Sequence, residues 1–292
     1  MVKALLLLYA VWGFNWVVMK EATLFFPPLT FSSFRFASAA VVLLLVNAWL
    51  RLPIPPRPYW KWIALTGVLQ IGFNLGAVQV SIQYLDAGLV AVLNYSMPVW
   101  MAILAYFFLN EPLTKRKIGG IAACMIGMCI LMNIQGGGNF AAILLALSGA
   151  IAWAIAGVII KIQNEKHVGQ GCNMIQYTTW QMVAGAISVC IYSLIFETGT
   201  ITWNAMSVAC LAYNGVLASA LAFFLWNYIL THMEAGKASV VVLGVPVVGV
   251  LCGILFLGEQ PDWHTALGMV LIFAGILLIV TQANAIRKKV KA

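Results

Sequence analysis

Charge is what this sequence most lacks. Only 8% of its 292 residues are Asp, Glu, Lys or Arg, where a soluble domain carries about 25%. With 63% hydrophobic residues and a mean hydropathy of +0.98, no soluble domain fits anywhere in the chain. Acids are scarcer still: all eight (Glu21, Asp86, Glu111, Glu165, Glu197, Glu234, Glu259, Asp262) fall at the ends of apolar stretches or in loops, as do the three histidines. A relay of buried Asp, Glu or His is therefore missing from the sequence, which weakens a proton-antiport mechanism and leaves the substrate gradient or another coupled ion as the energy source. H-E-x-x-H, G-x-S-x-G and Walker A motifs are absent, so the chain is not read as an enzyme and no cofactor or metal is expected. The six cysteines show no C-x-x-C spacing and lie in apolar stretches, as inert packing residues. No small-x-small cleavage site follows the first stretch, which reads as a retained helix rather than a signal peptide.

What the chain has in abundance is membrane-length apolar sequence. About 20 apolar residues cross a bilayer core. Ten such stretches lie near 4–20, 29–50, 60–84, 88–109, 117–134, 140–161, 172–196, 203–230, 237–258 and 264–283. With the N-terminus inside, the cytoplasmic segments hold 14 Lys and Arg against one, Lys20, on the other side. That asymmetry assigns both termini to the cytoplasm. It also explains the net charge of +8 without nucleic acid, since the basic residues are dispersed among loops. Trp49, Tyr59, Trp60 and Trp62 mark a cytoplasmic membrane edge.

The chain also contains a copy of itself. Residues 87–127 align without a gap with 235–275 at an offset of 148, with 10 of 41 positions identical. Gly88/Gly236, Pro98/Pro246, Glu111/Glu259, Gly120/Gly268 and Gly127/Gly275 are among them. The chain divides into repeats over 1–135 and 136–292. Five spans, an odd number, separate the copies, so the second repeat enters the membrane upside down. The basic corner NEPLTKRK accordingly becomes GEQPDWHT. Inverted repeats of this kind are a signature of secondary transporters.

Several residues within the spans stand out. Pro98 and Pro246 sit near mid-span and free the carbonyls four residues back, as hinges or as static kinks. Trp12, Asn15, Trp16 and Met19 share one face of span one, and Trp153 holds the matching place in span six. They are either plain packing or an aromatic wall for an amphipathic substrate. Gln70, Asn74 and Ser81 share a face of span three, while Gln79 and Gln83 point elsewhere; Asn94 and Tyr95 precede Pro98; span eight adds Tyr213, Asn214, Asn227 and Tyr228. Such polar groups bond neighbouring helices or line a cavity. Arg35 is the one ionisable side chain clearly inside a span; it binds a substrate carboxylate, snorkels, or caps carbonyls, and its repeat counterpart is Gln181. Glu111 and Glu259 are placed to accept from the N-terminal amides of spans five and ten.

The doubled pattern of a mid-span Pro, an apolar run closing on Glu and a Gly-rich helix resembles the EamA-type members of the drug/metabolite transporter superfamily. The segments that carry it are SMPVWMAILAYFFLNEPLTKRKIGGIAACMIG and GVPVVGVLCGILFLGEQPDWHTALGMVLIFAG, with AVWGFNWVVMK and RFASA in support. The resemblance implies an all-α basket of ten transmembrane helices in two inverted five-helix repeats. Spans one, three, four, six, eight and nine would surround a central cavity. It further implies a bacterial plasma-membrane exporter of amino acids, aromatic ones included, or related small metabolites by alternating access. The proposed substrate set is Trp12, Asn15, Trp16, Arg35, Asn74, Asn94, Tyr95, Trp153 and Asn214, with the lipid bilayer as the other partner. A drug or toxic-cation exporter is the alternative within the class, and a non-transporting scaffold subunit the alternative outside it.

Overall fold

The structure is a computed structural model that describes residues 1–82, 84–85, 87–131, 139–166, 172–257 and 263–290. For Trp16, Gln79, Ile82, residues 87–89, Val92, Leu131, Lys166, Leu257, Thr265 and 280–290 the backbone alone is described. Gln83, Asp86, His167, Glu259 and Asp262 thus lie outside the described residues.

Among the described residues every regular element is helical, and the helices join end to end into ten rods. Span one is Val2–Ala22 and span two Pro28–Trp49. Span three runs through Arg57–Gly67, Val68–Phe73 and Asn74–Ile82; span four through Ala87–Asn94 and Met97–Leu109; span five is Lys115–Leu131. Spans six and seven are Phe140–Lys166 and Met174–Phe196. Span eight runs through Ala205–Ala212, Tyr213–Leu221 and Ala222–His232; span nine through Ala235–Val241 and Gly244–Leu257; span ten is Trp263–Val290. Among the described residues six stretches are long and apolar enough to cross a membrane as they stand, with shorter apolar helices at Met97–Leu109 and Ala266–Ile279.

Local chemistry sets the starts. Pro28 and Pro58 open spans two and three from extended prolines. Capping boxes, Asn173 with Gln176 and Asn204 with Ser207, open spans seven and eight. The first of these boxes places Cys172 ahead of span seven, not inside an apolar span as the sequence suggests. Outward faces are hydrocarbon: Phe107, Leu194 and Leu255 are each at least 70% exposed, the inside-out surface a bilayer requires.

Packing obeys the repeat. Spans five and ten, two and seven, and four and nine pack on their own counterparts, while one on nine answers six on four, and two on eight answers seven on three. The counterpart pair of spans five and ten is antiparallel. A β-carbon on Gly120 would stand 2.8 Å from the Gly275 carbonyl oxygen, and one on Gly127 would stand 2.7 Å from that of Gly268. Each glycine thus meets the counterpart of the other, the reciprocal pattern a two-fold axis generates. Missing side chains let the two backbones touch, as membrane helices do at small residues.

Candidate functional site

Both repeats interrupt the same two rods. Spans three and eight each carry a π-helical stretch, Val68–Phe73 and Tyr213–Leu221. Shifting the ladder to i→i+5 bonds loosens carbonyls from their usual donors, and such bulges recur at functional sites. Here the Ala218 carbonyl oxygen accepts from Trp12 Nε1 at 2.9 Å and lies 3.5 Å from Arg35 Nη2. Arg35 Nε also donates to Ser219 Oγ at 2.7 Å, and Nη1 lies 3.7 Å from Met19 Sδ. The guanidinium stands 4.8 Å from the Phe36 ring centroid. At 8% exposure, Arg35 is a buried cation with no carboxylate against it among the described residues. Of its three expected roles, the capping of carbonyls is observed.

The two rods that meet this cation each carry an unfilled acceptor. Asn15 is one turn before Met19 on span one, and Asn214 one turn before Ala218 on span eight. Both side chains are buried, at 6% and 0% exposure, and the Oδ1 of each has no hydrogen-bond partner. Asn214 Nδ2 is occupied by the Cys210 carbonyl at 3.1 Å. The aromatic wall is continuous here: Trp12 meets Trp153 edge-on at 6.5 Å and Phe223 at 5.8 Å. The Trp16 side chain lies outside what is described.

Beside the wall runs a buried amide chain. Gln70 faces two indole donors, Trp153 Nε1 at 2.9 Å and Trp226 Nε1 at 3.0 Å, so its oxygen must point at them. Its amide nitrogen then donates to Gln181 at 2.7 Å. That orientation propagates: the Gln181 oxygen accepts from Gln70, its nitrogen turns to Asn227 at 2.8 Å, and Asn227 presents oxygen to Gln181 and to the Thr178 hydroxyl at 2.9 Å. Two tryptophans thus fix the polarity of four side chains. Gln181, Trp226, Asn227 and Thr178 are all within 1% of complete burial, so this chain is structural framework. Of the span-three residues, Gln70 and Ser81 are likewise spent on neighbours, Ser81 on the Ala142 carbonyl at 3.0 Å.

Spans four and nine are broken rather than kinked. Helix stops at Asn94 and restarts at Met97, placing Pro98 in the first turn of a new helix; the turn at Val242–Leu243 and Gly244 place Pro246 likewise. A proline in a first turn loses no bond it would have made, so it fits the restart. Each joint is gripped from a neighbouring rod. Asn74 Nδ2 donates to Asn94 Oδ1 at 2.6 Å, and Tyr9 Oη donates to the Val241 carbonyl at 2.5 Å. Tyr9 stands three residues before Trp12, on the face already singled out, so periodicity alone could have found it. Tyr95, by contrast, packs against the cluster that includes Ala102, Ile121 and Leu243, whereas Trp12 and Trp153 pack against a different one.

The end of the molecule bearing the Lys115–Lys117 corner is tied shut by ions. Glu111, 6% exposed, accepts from the amides of Ala235 at 2.5 Å and Gly236 at 3.1 Å, the start of span nine. Lys117 Nζ, equally buried, lies 3.2 Å from Glu111 and 3.7 Å from Glu234, which Lys237 holds at 2.5 Å. Glu111 therefore caps span nine, not span five as its position in the chain suggests. The left-handed residue Asn110, φ 54°, turns the chain so that the carboxylate points across the bundle. From span six, Lys161 Nζ reaches the Leu230 and Met233 carbonyls at 3.4 and 2.5 Å, closing the end of span eight. Among the described residues no group of His, Cys, Asp and Glu converges as a metal site would.

This architecture has known relatives. The chain is 32% identical over 289 residues to an uncharacterized transporter of Bacillus subtilis, YoaV, covering 95% of this chain and 97% of that one. A probable amino-acid metabolite efflux pump of Salmonella typhimurium is 26% identical, covering 94% and 93%. A solved crystal structure superposes with a TM-score of 0.82 over 96% of this chain and 97% of its own, at 17% identity, and so shares the fold. The model of the EamA-like transporter family matches residues 1–133 and again 140–281. The two-fold packing, the paired π-helical and broken rods and the sequence matches agree: the chain belongs to the EamA-like transporter family.

Proposed function

We propose that this transporter exports small amphipathic metabolites, amino acids foremost, across the bacterial plasma membrane by alternating access, with both termini in the cytoplasm. The observation that carries the reading is Arg35: a buried guanidinium with no carboxylate beside it among the described residues, whose burial is costly until an anion joins it. A substrate carboxylate completes that site. The orphan oxygens of Asn15 and Asn214 offer an ammonium the acceptors it needs, and the edge-on rings of Trp12 and Phe223 suit an apolar or aromatic side chain. The amino-acid metabolite efflux pump among the relatives supports the same class. A cationic drug fits less well, because the buried guanidinium of Arg35 would repel it.

In this reading the Glu111–Lys117–Glu234 cluster is the closed cytoplasmic gate, and the joints before Pro98 and Pro246 are where spans four and nine flex as it parts. Coupling to substrate needs no side-chain proton relay. The test is counterflow of labelled amino acids in proteoliposomes, comparing wild type with Arg35→Gln, Asn94→Ala and Trp16→Ala. Transport of a metabolite class lacking a carboxylate, with no amino acid moved, overturns the substrate assignment. Full activity in all three variants overturns the site.

A further inference from the structure

Away from the bundle centre, Trp62 of span three, Leu104 and Phe108 of span four, and Val158, Ile162 and Gln163 of span six enclose a half-open groove of about 430 Å³. Phe108 is 62% exposed, so the groove opens on the lipid-facing surface. Its walls are almost wholly hydrocarbon, and within a bilayer such a surface is filled by an acyl chain, because a void forfeits contacts on every wall. Two features make it more selective than a greasy furrow. Gln163 lines it at 5% exposure, and its buried Oε1 has no hydrogen-bond partner, an unmet acceptor in the wall of an apolar space. Lys61 Nζ stands 4.8 Å from the ring centroid of Trp62, at the groove's edge and exposed. Span three begins only four residues before Lys61, and span six ends three residues after Gln163. Both polar groups therefore sit where hydrocarbon gives way to headgroups.

We propose that this groove binds one anionic phospholipid with a hydroxylated headgroup, its acyl chain between spans three, four and six. The phosphate pairs with Lys61, and a headgroup or glycerol hydroxyl donates to Gln163 Oε1. A lysine at a membrane surface favours an anionic lipid about five-fold. The site is separate from the transport reading, and its test reads lipid, not flux.

Delipidated protein in detergent is titrated with phosphatidylglycerol or phosphatidylcholine, and bound lipid is counted by native mass spectrometry. The expected result is one tightly held phosphatidylglycerol per chain, about five-fold preferred over phosphatidylcholine. Lys61→Gln, an exposed substitution that leaves the fold alone, brings that ratio to about one. Ile159 also lines the groove, and Ile159→Trp fills it and releases both lipids while the lipid-free melting midpoint holds. Gln163→Leu keeps the volume and lowers phosphatidylglycerol affinity by itself. Equal affinities that Lys61→Gln leaves unchanged overturn the proposal. So does a dimer that Ile159→Trp splits, which would make a second copy the occupant.

Discussion

The Cys124 thiol donates to the carbonyl of Ile272 at 3.5 Å, and Ile272 is its own counterpart, 148 residues further on. A residue that touches its own image lies on the axis. The glycines on either side, one turn each way, cross-pair about that point, so the thinnest part of the span five–ten seam is also its symmetry centre.

Gly275→Ala puts a β-carbon 2.6 Å from the Gly120 carbonyl and 3.0 Å from the Cys124 amide, both backbone, so the rods must separate. We expect a loss of about 2 kcal/mol. Gly119→Ala, with nothing within 4 Å, gains up to about 1 kcal/mol in helix propensity. Thermal melts of the purified variants read both, and equal behaviour of the two would falsify the close-packed seam.

Lys117→Met leaves the Glu111 carboxylate buried with amide donors alone and costs about 3 kcal/mol; Glu111→Ala, which also uncaps span nine, costs about 4 kcal/mol. Because the two act on one interaction, the double variant is less damaged than the sum. Strict additivity in chemical or thermal unfolding refutes the pairing.

Gln70→Leu strands two indole N–H groups in a dry interior, at about 3 kcal/mol. Adding Trp226→Phe removes one stranded donor and restores part of the loss. If the second substitution only deepens the damage, the assigned orientation of the amide chain is wrong.

For transport, Arg35→Gln lowers sub-saturating amino-acid counterflow by about 30-fold, while Arg35→Lys, which keeps charge without the forked geometry, retains an intermediate rate. An amino-acid amide competes weakly with the substrate in wild type and no worse in Arg35→Gln. Strong competition by the amide in wild type shows that the carboxylate is not what Arg35 reads.

The scaffold was legible because it is written in periodicities: apolar length, an odd number of spans between copies, and the matched Pro, Glu and Gly. The polar interior was half legible. Asn74 with Asn94, and Trp12 with Trp153, were marked by depth and spacing, and they do meet. Gln70 and Ser81 share that depth yet are consumed by neighbours, since one sequence cannot say which buried amide finds a protein partner and which is left for a ligand. The π-helical stretches left no trace in composition: a ladder shift changes hydrogen-bond register, not hydropathy. Glu111 was recognised as a cap, but its target depended on a left-handed turn at Asn110 that residue type alone does not demand.

Sharing of the Ala218 carbonyl has a mechanical side. Trp12 and Arg35 load one oxygen from two different rods, so an anion that draws the guanidinium away transfers that load to the indole. Three residues from Trp12, about 4.5 Å along the same helix, Tyr9 holds the joint of span nine. In the proposed transport cycle span one is thereby a short lever, loaded beside Arg35 at one arm and holding the joint of span nine at the other.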